Sequence, residues 1–380
     1  MSEVILYGSY ASYYTAKVRS ALRKKAIPFS ERLPSDPRFR AEVRPASGSH
    51  RIPQVLLPDG RVIQDSVEIL DELERLYPQV PAFPSTPCQR IFTHLMELLG
   101  SEGLVRLAWM HRWMFEENLQ FVTMDFGRSF RPQGTDADLL HYGELIAQRM
   151  MSYGLPESTA ALRADLDAQY IRFLELFEAH LQEHPYLLGG HPGAADFALM
   201  GALHAHMGRD PAGLRVMQNH APRTFRWVEH MLVPDLQAPE FFDRPVTWCE
   251  NDQVPDSAMA ILNFLAVEFG LPFVLGQMAF QQAMAQQQPA PGTVLFADED
   301  QPTLAPQSVE FEGTKHSVKA SLYGVWLTQR SRKYLALCDA EERERVRQWA
   351  EKHAHAWLVH LLQAPGPYSL ARIDNRLVIE

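Results

Sequence analysis

Apolar residues in the first eighty positions alternate between strand-like runs and helix-like spacing, which predicts a small mixed domain. Val4-Ile5-Leu6-Tyr7 is a continuous apolar run, typical of a buried strand. Asp59-Gly60 is a strong signal for a hairpin turn, and the apolar residues between Ser66 and Tyr77 recur at helical spacing. The predicted elements are strands at 3–8, 29–33, 54–57 and 61–64 and helices at 13–26 and 66–77.

Beyond residue 80 the pattern changes to helices only, after a linker with four prolines between Pro78 and Pro87. Helical spacing recurs at 89–119, 137–153, 160–184, 196–207 and 222–232. The remainder of the chain combines further helices with short strands. We therefore predict a first domain over 1–80, an all-helical domain over 86–248 and a mixed, mostly helical C-terminal extension over 251–380.

Length, charge and cysteine content limit the class of function. The chain has 380 residues, too many for one ordinary domain, and a formal net charge of −10. This charge disfavours a phosphate backbone as partner, so we expect no nucleic acid. Cys88, Cys249 and Cys338 lie far apart without a CxxC pair. Their spacing favours a reducing cytoplasm over a disulfide framework or a zinc knuckle.

The most apolar stretch, residues 258–280, does not indicate a membrane span. It carries Asn263 and Glu268 and is broken by Gly270 and Pro272, so we expect two buried helices that meet at a corner. The N-terminal residues show no basic segment before the first strand, so we expect no signal peptide. Paired histidines occur without the third ligand of a zinc site, so we expect no metal.

Three short segments of the first domain have the chemistry of a peptide-binding site. Ser12 begins a helix, where a hydroxyl and aligned peptide dipoles favour a sulfur anion. Ile52-Pro53 precedes the third strand of this domain. Asp65-Ser66 begins the second helix of the domain, predicted over 66–77, where a carboxylate can bind. Ordinary structural roles are the alternatives: helix caps at both helix starts and the beginning of an edge strand at Pro53.

The first eighty residues resemble the N-terminal, thioredoxin-like domain of the glutathione transferase superfamily. The resemblance is carried by LYGS at 6–9, SYYTAKVR at 12–19, RIPQV at 51–55 and QDSVEIL at 64–70. The helical region to about residue 245 is similar to the C-terminal domain of that family. The resemblance implies an α+β fold: a β-α-β-β-β-α thioredoxin-like domain, an all-α domain and then the mostly helical extension. It also implies glutathione as co-substrate.

The resemblance further implies roles for individual residues. Ser12 is expected to be catalytic and to stabilise the glutathione thiolate, with Tyr14 as the alternative hydroxyl donor. Ser12 is not a cysteine, and Thr15 stands in the place of a resolving cysteine, so we expect no disulfide exchange through a protein thiolate at this site. Arg51 stands where the family often has a basic residue near the glycyl carboxylate of glutathione, and His50 is the alternative for that role. The expected glutathione-binding residues are Arg51, Ile52, Pro53 (in a cis peptide bond), Asp65 and Ser66.

The acceptor pocket is less well defined by the sequence. An aromatic and methionine-rich stretch runs through residues 109–130, and in the family this region faces the thiol across a cleft and binds an apolar electrophile. A protein core or a dimer interface is the alternative for any single residue. His111 and Arg112 are candidates for polarising a leaving group. The candidate pocket residues are Tyr14, Trp109 and Trp113.

Together these features predict a glutathione transferase that acts on an apolar small-molecule electrophile, without a metal. The resemblance implies a homodimer. A non-catalytic glutathione transferase-like binding or scaffold protein is the alternative. The long extension favours this alternative, because it could cover the cleft or supply a partner surface.

Overall fold

A computed structural model describes residues 3–295, 303–363 and 366–380. The chain forms two compact units. One combines the residues up to Phe83 with Leu104–Cys249, and the other combines Pro84–Gly103 with Glu250–Glu380. The architecture confirms the predicted α+β class: a thioredoxin-like domain, an all-helical domain and a mostly helical extension. The boundaries predicted for the three domains stay a prediction.

A four-stranded mixed sheet forms the centre of the thioredoxin-like domain, in the order β2-β1-β3-β4. Strand β1 pairs in parallel with β2 and antiparallel with β3, which pairs antiparallel with β4. The hairpin predicted from Asp59-Gly60 is therefore present. The elements are β1 Val4–Tyr7, α1 Tyr13–Lys24, β2 Phe29–Arg32, a π-helical turn Phe39–Val43, α2 Arg44–Ser47, β3 Gln54–Leu56, β4 Val62–Gln64 and α3 Ser66–Leu76.

Helix α1 is buried almost throughout, because α3 and the helical domain both pack against it. Its apolar residues Val18, Ala21 and Leu22 are each 0% exposed. On the other side of the domain, the Tyr7 ring packs against Phe39, with 5.5 Å between ring centroids. Helix α1 is therefore buried along most of its length.

Lys24 is the last residue of α1 and is fully buried, and it provides a pH-dependent test of the fold. Its Nζ donates to the Tyr186 hydroxyl (3.3 Å) and to the Asp235 carbonyl (2.5 Å). Burial lowers the pKa of Lys24 from 10.5 to about 7. Between those two values the unfolded chain binds the proton that the folded chain has lost. The free energy of unfolding therefore rises with pH in this window.

We expect the rise from Lys24 to reach at most about 1.4 kcal/mol per pH unit between pH 7 and 10. Urea unfolding at several pH values measures it. The variant Lys24→Met should flatten the slope, and Lys333→Met, at an exposed ion pair, should leave it unchanged. Equal slopes in all three proteins would contradict a neutral Lys24 in the folded state.

The helical region begins with α4 and ends with α11, and short breaks separate most of its helices. Gly193 stands at the N-cap of the helix Ala194–Met200 and has no side chain with which to cap it. Asp196 provides the capping bond, since its Oδ2 accepts from the Gly193 N–H at 2.9 Å. The helices are α4 Pro87–Met96, a π-helical segment Glu97–Gly103, α5 Leu104–Met114, α6 Glu116–Phe130, α7 Asp136–Met151, α8 Ala160–His180, α9 Ala194–Met200, a second π-helical segment Gly201–His206, α10 Pro211–His220 and α11 Pro222–Met231.

Helices α6 and α7 form an antiparallel hairpin that depends on glycine. A Cβ at Gly143 would lie 1.9 Å from the Thr123 carbonyl oxygen, and one at Gly127 would lie 2.0 Å from the Leu139 carbonyl oxygen. Both clashes are with backbone, so neither can be relieved by a side-chain rotation. This close crossing fixes where α6 ends, and that end borders the candidate site.

The second unit contains α4 and the C-terminal extension. Asp252 caps α4 through bonds to the Cys88 and Gln89 N–H groups, both 3.0 Å. Strands β5-β9-β8 form one antiparallel sheet and β6-β7 a hairpin. The elements are α12 Asp256–Phe269, α13 Leu271–Gln287, β5 Val294–Leu295, β6 Gln307–Phe311, β7 Thr314–Val318, α14 Leu322–Leu337, α15 Ala340–His353, α16 Ala356–Leu362, β8 Leu370–Ile373 and β9 Arg376–Ile379.

The expected pair of buried helices in the extension is present as α12 and α13, which meet at Gly270. Within the described parts of the chain, no helix is by itself long and apolar enough to cross a membrane. The two helices meet that criterion only when taken together, across a bend of 59°.

Candidate functional site

Strand register brings the three predicted segments to one end of the sheet. Tyr7 pairs with Gln54, and Gln54 pairs with Gln64, so these three residues lie side by side on adjacent strands. The chain that leaves β1 towards α1, the chain that enters β3 from Pro53, and the chain that leaves β4 at Asp65 therefore share one sheet end. Three adjacent strands span only about 10 Å, which a tripeptide can bridge.

Ser12 lies at the N-cap of α1 with an extended backbone, φ −83° and ψ 121°. Its Oγ accepts from the Thr15 N–H at 3.3 Å, and its side chain is partly exposed. A hydroxyl has one donor hydrogen and two acceptor sites, so the cap leaves the O–H free to donate. Capping and thiolate stabilisation are therefore compatible roles for the same atom. The positive end of α1 adds to the attraction for an anion.

The Ile52–Pro53 peptide bond is cis, as the resemblance implies. Among the residues that the structure describes, none forms a hydrogen bond with the main chain of Ile52. Gln54 shapes the approach to this bond: its Nε2 donates to the carbonyls of Ser49 and Arg51, both at 2.8 Å. The main chain of Ile52 is thus available to pair with a peptide ligand. Arg51 lies exposed next to it.

Asp65 caps α3 through Oδ1, which accepts from the N–H groups of Val67 (2.8 Å) and Glu68 (3.4 Å). Its φ of 88° lies in a region that costs a non-glycine residue about 1–3 kcal/mol and that clusters at binding sites. Ser66 occupies the first position of α3, where neither its N–H nor its hydroxyl bonds to any described residue. Together these groups offer an acceptor for an ammonium and donors for a carboxylate.

The tyrosines near Ser12 have different surroundings. Tyr7 is 0% exposed, and burial raises the pKa of its hydroxyl, so it is a core residue. Tyr14 is partly exposed and meets the Tyr13 ring edge-on, with 5.3 Å between centroids. Tyr10 is 49% exposed and covers the Arg19 guanidinium at 4.0 Å from its ring centroid. Tyr14 therefore stays the alternative donor to Ser12.

The loop between β1 and α1 is held from the helical domain at two points. The hydroxyls of Ser9 and Ser129 lie 2.7 Å apart. The Arg112 Nη1 donates to the Ala11 carbonyl at 2.8 Å, and the remaining guanidinium bonds engage Asp210 and a main-chain carbonyl. Arg112 is 2% exposed. It is therefore a buried structural cation and is not placed to polarise a leaving group in an open cleft.

The predicted pocket aromatics of α5 pack in a core cluster of the helical domain. Trp113 is 4% exposed and stacks with Phe126 in a core cluster between α5, α6 and α7. Trp109 is partly buried and packs against the same cluster. His111 is fully buried, with Nε2 3.1 Å from the Asp167 carboxylate and its ring stacked on Phe115. The structure thus brings Ser12 and the glutathione-binding candidates together at one sheet end, and it packs Trp109 and Trp113 in the core cluster of α5, α6 and α7.

An open cleft of about 900 Å³ borders the same loop. One wall comes from the end of β2 and the segment after it, and the other from the turn between α6 and α7 with the adjoining helix ends. The loop is linked to both walls: the Gly8 N–H donates to the carbonyl of Arg32, a lining residue (2.9 Å), and Ser9 bonds to Ser129, the chain neighbour of the lining residue Phe130. The lining residues include Glu31, Arg32, Ser35, Asp36, Phe130, Arg131, Asp138 and Tyr142.

Sequence reasoning missed the cleft, the role of Gln54 beside the cis bond and the bond from Arg112 to the loop. Gln54 carries a signal that was available: a glutamine directly after Ile-Pro at the start of an otherwise apolar strand. The cleft had no such signal, because its two walls are nearly a hundred residues apart in the chain. No group of three or more His, Cys, Asp or Glu side chains suited to a metal ion occurs within the described ranges.

Two family models match the chain. The model for the glutathione S-transferase N-terminal domain matches residues 6–81, and the model for the C-terminal domain matches residues 160–230. A curated relative is a probable maleylacetoacetate isomerase from Caenorhabditis elegans. It is 24% identical over 205 residues, which are 50% of this chain and 92% of that protein.

Solved structures of similar fold include glutathione transferase GSTFuA3 from Phanerochaete chrysosporium, 18% identical over 62% of this chain and 98% of its own, with a TM-score of 0.45. Another is a glutathione S-transferase from Methylobacterium radiotolerans in complex with glutathione sulfonate. It is 20% identical over 67% of this chain and 100% of its own, with a TM-score of 0.37. The two domain matches, in chain order on the folds described above, show that the chain belongs to the glutathione S-transferase superfamily.

Proposed function

We propose that this protein is a glutathione-dependent transferase in which Ser12 stabilises the thiolate of glutathione for attack on an acceptor. The observation that carries the proposal is the meeting of three groups at one sheet end: the Ser12 cap, the unpaired main chain of Ile52 and the start of α3 at Asp65-Ser66. Each group fits a different part of one tripeptide.

The proposed binding mode assigns each part of glutathione to a group of matching chemistry. The cysteinyl main chain pairs with the N–H and C=O of Ile52. The γ-glutamyl carboxylate takes the N–H and hydroxyl of Ser66, and its ammonium takes the carboxylate of Asp65. The exposed Arg51 reaches the glycyl carboxylate. This arrangement points the thiol at Ser12 and the N-terminus of α1.

The energy required of Ser12 is modest. Lowering a thiol pKa by about 2 units takes about 2.7 kcal/mol. One charge-assisted hydrogen bond supplies about 1.5–3 kcal/mol, and a helix N-terminus adds about 0.3–1 kcal/mol. The proton leaves to solvent, and the thiolate is then the nucleophile. Ser12 itself stays protonated throughout, so it acts as a hydrogen-bond donor.

We place the acceptor in the cleft between the segment after β2 and the α6–α7 turn, because that cleft opens beside the loop that leads to Ser12. Phe130 gives it an apolar surface, and the charged side chains around the rim suit polar groups on the acceptor. Isomerisation belongs with conjugation among the reactions to assay, because the curated relative carries the name of an isomerase.

The variant Phe130→Ala tests the position of the acceptor. Phe130 is 44% exposed, so its loss should cost little stability. We expect the KM for the acceptor to rise about 10-fold, the scale of one lost apolar contact, while the affinity for glutathione stays constant. Steady-state kinetics with both substrates varied measures this. The control is Phe242→Ala, at a ring that is 81% exposed and outside the cleft lining. An unchanged acceptor KM in Phe130→Ala would move the acceptor elsewhere.

Titration calorimetry with glutathione tests the proposal itself. We expect saturable 1:1 binding that is much weaker with a peptide lacking the γ-glutamyl group, together with turnover of an acceptor panel that includes conjugation and isomerisation substrates. Binding without any turnover would favour the alternative, a non-catalytic binding or scaffold protein with the same fold. Absence of binding would contradict the glutathione site.

The cellular setting is part of the proposal. Cys88, Cys249 and Cys338 are free thiols, which suits a reducing cytoplasm. We also propose a homodimer, which sedimentation measurements can test.

A further inference from the structure

The peptide unit that precedes Ser12 is held at both of its polar ends. Its carbonyl, that of Ala11, accepts from Arg112 Nη1 at 2.8 Å. Its N–H, that of Ser12, donates to the Ser9 carbonyl at 3.1 Å. Ala11 itself is 2% exposed. A peptide plane that is fixed at both ends fixes the position of the Ser12 Cα, and the Ser12 carbonyl, which accepts from the Ala16 N–H at 3.3 Å, limits the rotation about the N–Cα bond. Together these bonds set the direction in which the Ser12 side chain leaves the backbone.

Arg112 is in turn held rigidly by the helical domain. Its Nε and Nη2 form a two-pronged pair with the Asp210 carboxylate, at 2.7 and 2.9 Å, and Nη2 also donates to the Ala205 carbonyl at 2.6 Å. Arg112 and Asp210 are 2% and 1% exposed. A planar guanidinium engaged in this way has little freedom, which distinguishes it from a lysine at the same place.

The Asp210 side chain bonds to Arg112 and not to α10, the helix that follows it. Burial raises the pKa of its carboxyl and the adjacent Arg112 lowers it. Asn118 fixes the α5 end of the same region, with bonds from Nδ2 to the His111 and Arg112 carbonyls. The carboxylate of Asp210 therefore serves Arg112.

We propose that Arg112 is a positioning residue of the thiol site: through the Ala11 carbonyl it sets the orientation of Ser12, and Asp210 orients Arg112. The inference rests on the proposed function for its catalytic consequence. It extends that function by making the helical domain a part of the thiolate site. The catalytic loop is aligned by a side chain that touches neither glutathione nor acceptor.

The test must separate positioning from stability, because Arg112→Ala alone would leave Asp210 buried without a partner. The double variant Arg112→Met/Asp210→Leu removes both charges, and such apolar replacement of a buried pair is often neutral or stabilising. It also removes the bond to Ala11. The control is Glu178→Gln, which removes the charge of a buried carboxylate whose partners are Arg223 and Thr224.

Two readouts decide the proposal. Misplacement of a catalytic group by about 1 Å can cost about 100-fold in rate. We expect kcat to fall at least about 10-fold in the double variant, with little change in glutathione affinity and with the pKa of the bound thiol shifted towards that of free glutathione. The control should change none of these. Unchanged kcat and thiol pKa in the folded double variant would overturn the proposal.

Hydrogen exchange of residues 8–16 in the free protein provides the readout that does not depend on glutathione. We expect faster exchange of these amides in the double variant and wild-type exchange in the control. If wild-type protein bound no glutathione, the proposed function would fail. Exchange in the loop would still decide whether Arg112 positions it, and unchanged exchange would overturn the inference separately.

Discussion

Replacement of Ser12 by alanine is expected to lower turnover by about 100-fold, the scale of losing one preorganised donor to a developing or bound anion. The substitution removes the hydroxyl that the thiolate requires and leaves the helix N-terminus in place. The pKa of bound glutathione should rise by about 2 units, towards the free thiol. Kinetics across pH 5–9 measures both effects.

A stability control is needed for Ser12→Ala, because the hydroxyl also caps α1. Loss of that cap should cost about 1 kcal/mol. Thr159→Ala is a matched variant: Thr159 caps α8 in the same way, with its Oγ accepting from the Leu162 N–H at 3.1 Å. We expect similar loss of stability in both variants and loss of turnover only in Ser12→Ala. Normal turnover in Ser12→Ala would shift the donor role to Tyr14 or another hydroxyl.

Replacement of Asp65 by asparagine is the second large expected effect, and it acts on binding. Asparagine keeps an oxygen for the Val67 and Glu68 N–H groups and tolerates the positive φ better than most residues. It removes the charge that the γ-glutamyl ammonium requires. A bond to a charged group contributes about 1.5–3 kcal/mol, so the Kd for glutathione should rise about 10–100-fold.

The ligand itself supplies a control for Asp65→Asn. Cysteinylglycine lacks the γ-glutamyl group, so wild type and variant should bind it equally weakly. A second control, Asp339→Asn, alters a capping carboxylate at the start of α15 and should leave glutathione binding unchanged. Calorimetry with both ligands distinguishes the outcomes. An unchanged Kd for glutathione in Asp65→Asn would remove Asp65 from the binding site.

Local signals in the sequence predicted much of the first domain. The apolar run at Val4–Tyr7, the Asp59-Gly60 turn and the helical spacing after Ser66 depend on neighbours in the chain, and the structure confirms the elements they predict. The cis bond at Pro53 came from resemblance, since the residues alone give an X-Pro bond only about a 5% chance.

Features that depend on distant contacts were not predictable in this way. One helical pattern covers 89–119, but the structure divides it into α4, a π-helical segment and α5, and starts α6 after Phe115. The partner of Arg112 is Asp210, 98 residues further along the chain. Arg112 looked like a candidate for chemistry because its sequence neighbours are aromatic. Its burial and its bond to Ala11 show that it belongs to the support of the loop.

The most direct measurement is a pH titration of the ultraviolet absorbance of thiolate in the complex of this protein with glutathione. We predict a thiol pKa about 2 units below the ordinary value near 8.5, so that the bound sulfur is ionised at neutral pH in the wild type and largely protonated in Ser12→Ala. A bound glutathione that titrates like the free tripeptide would contradict the account.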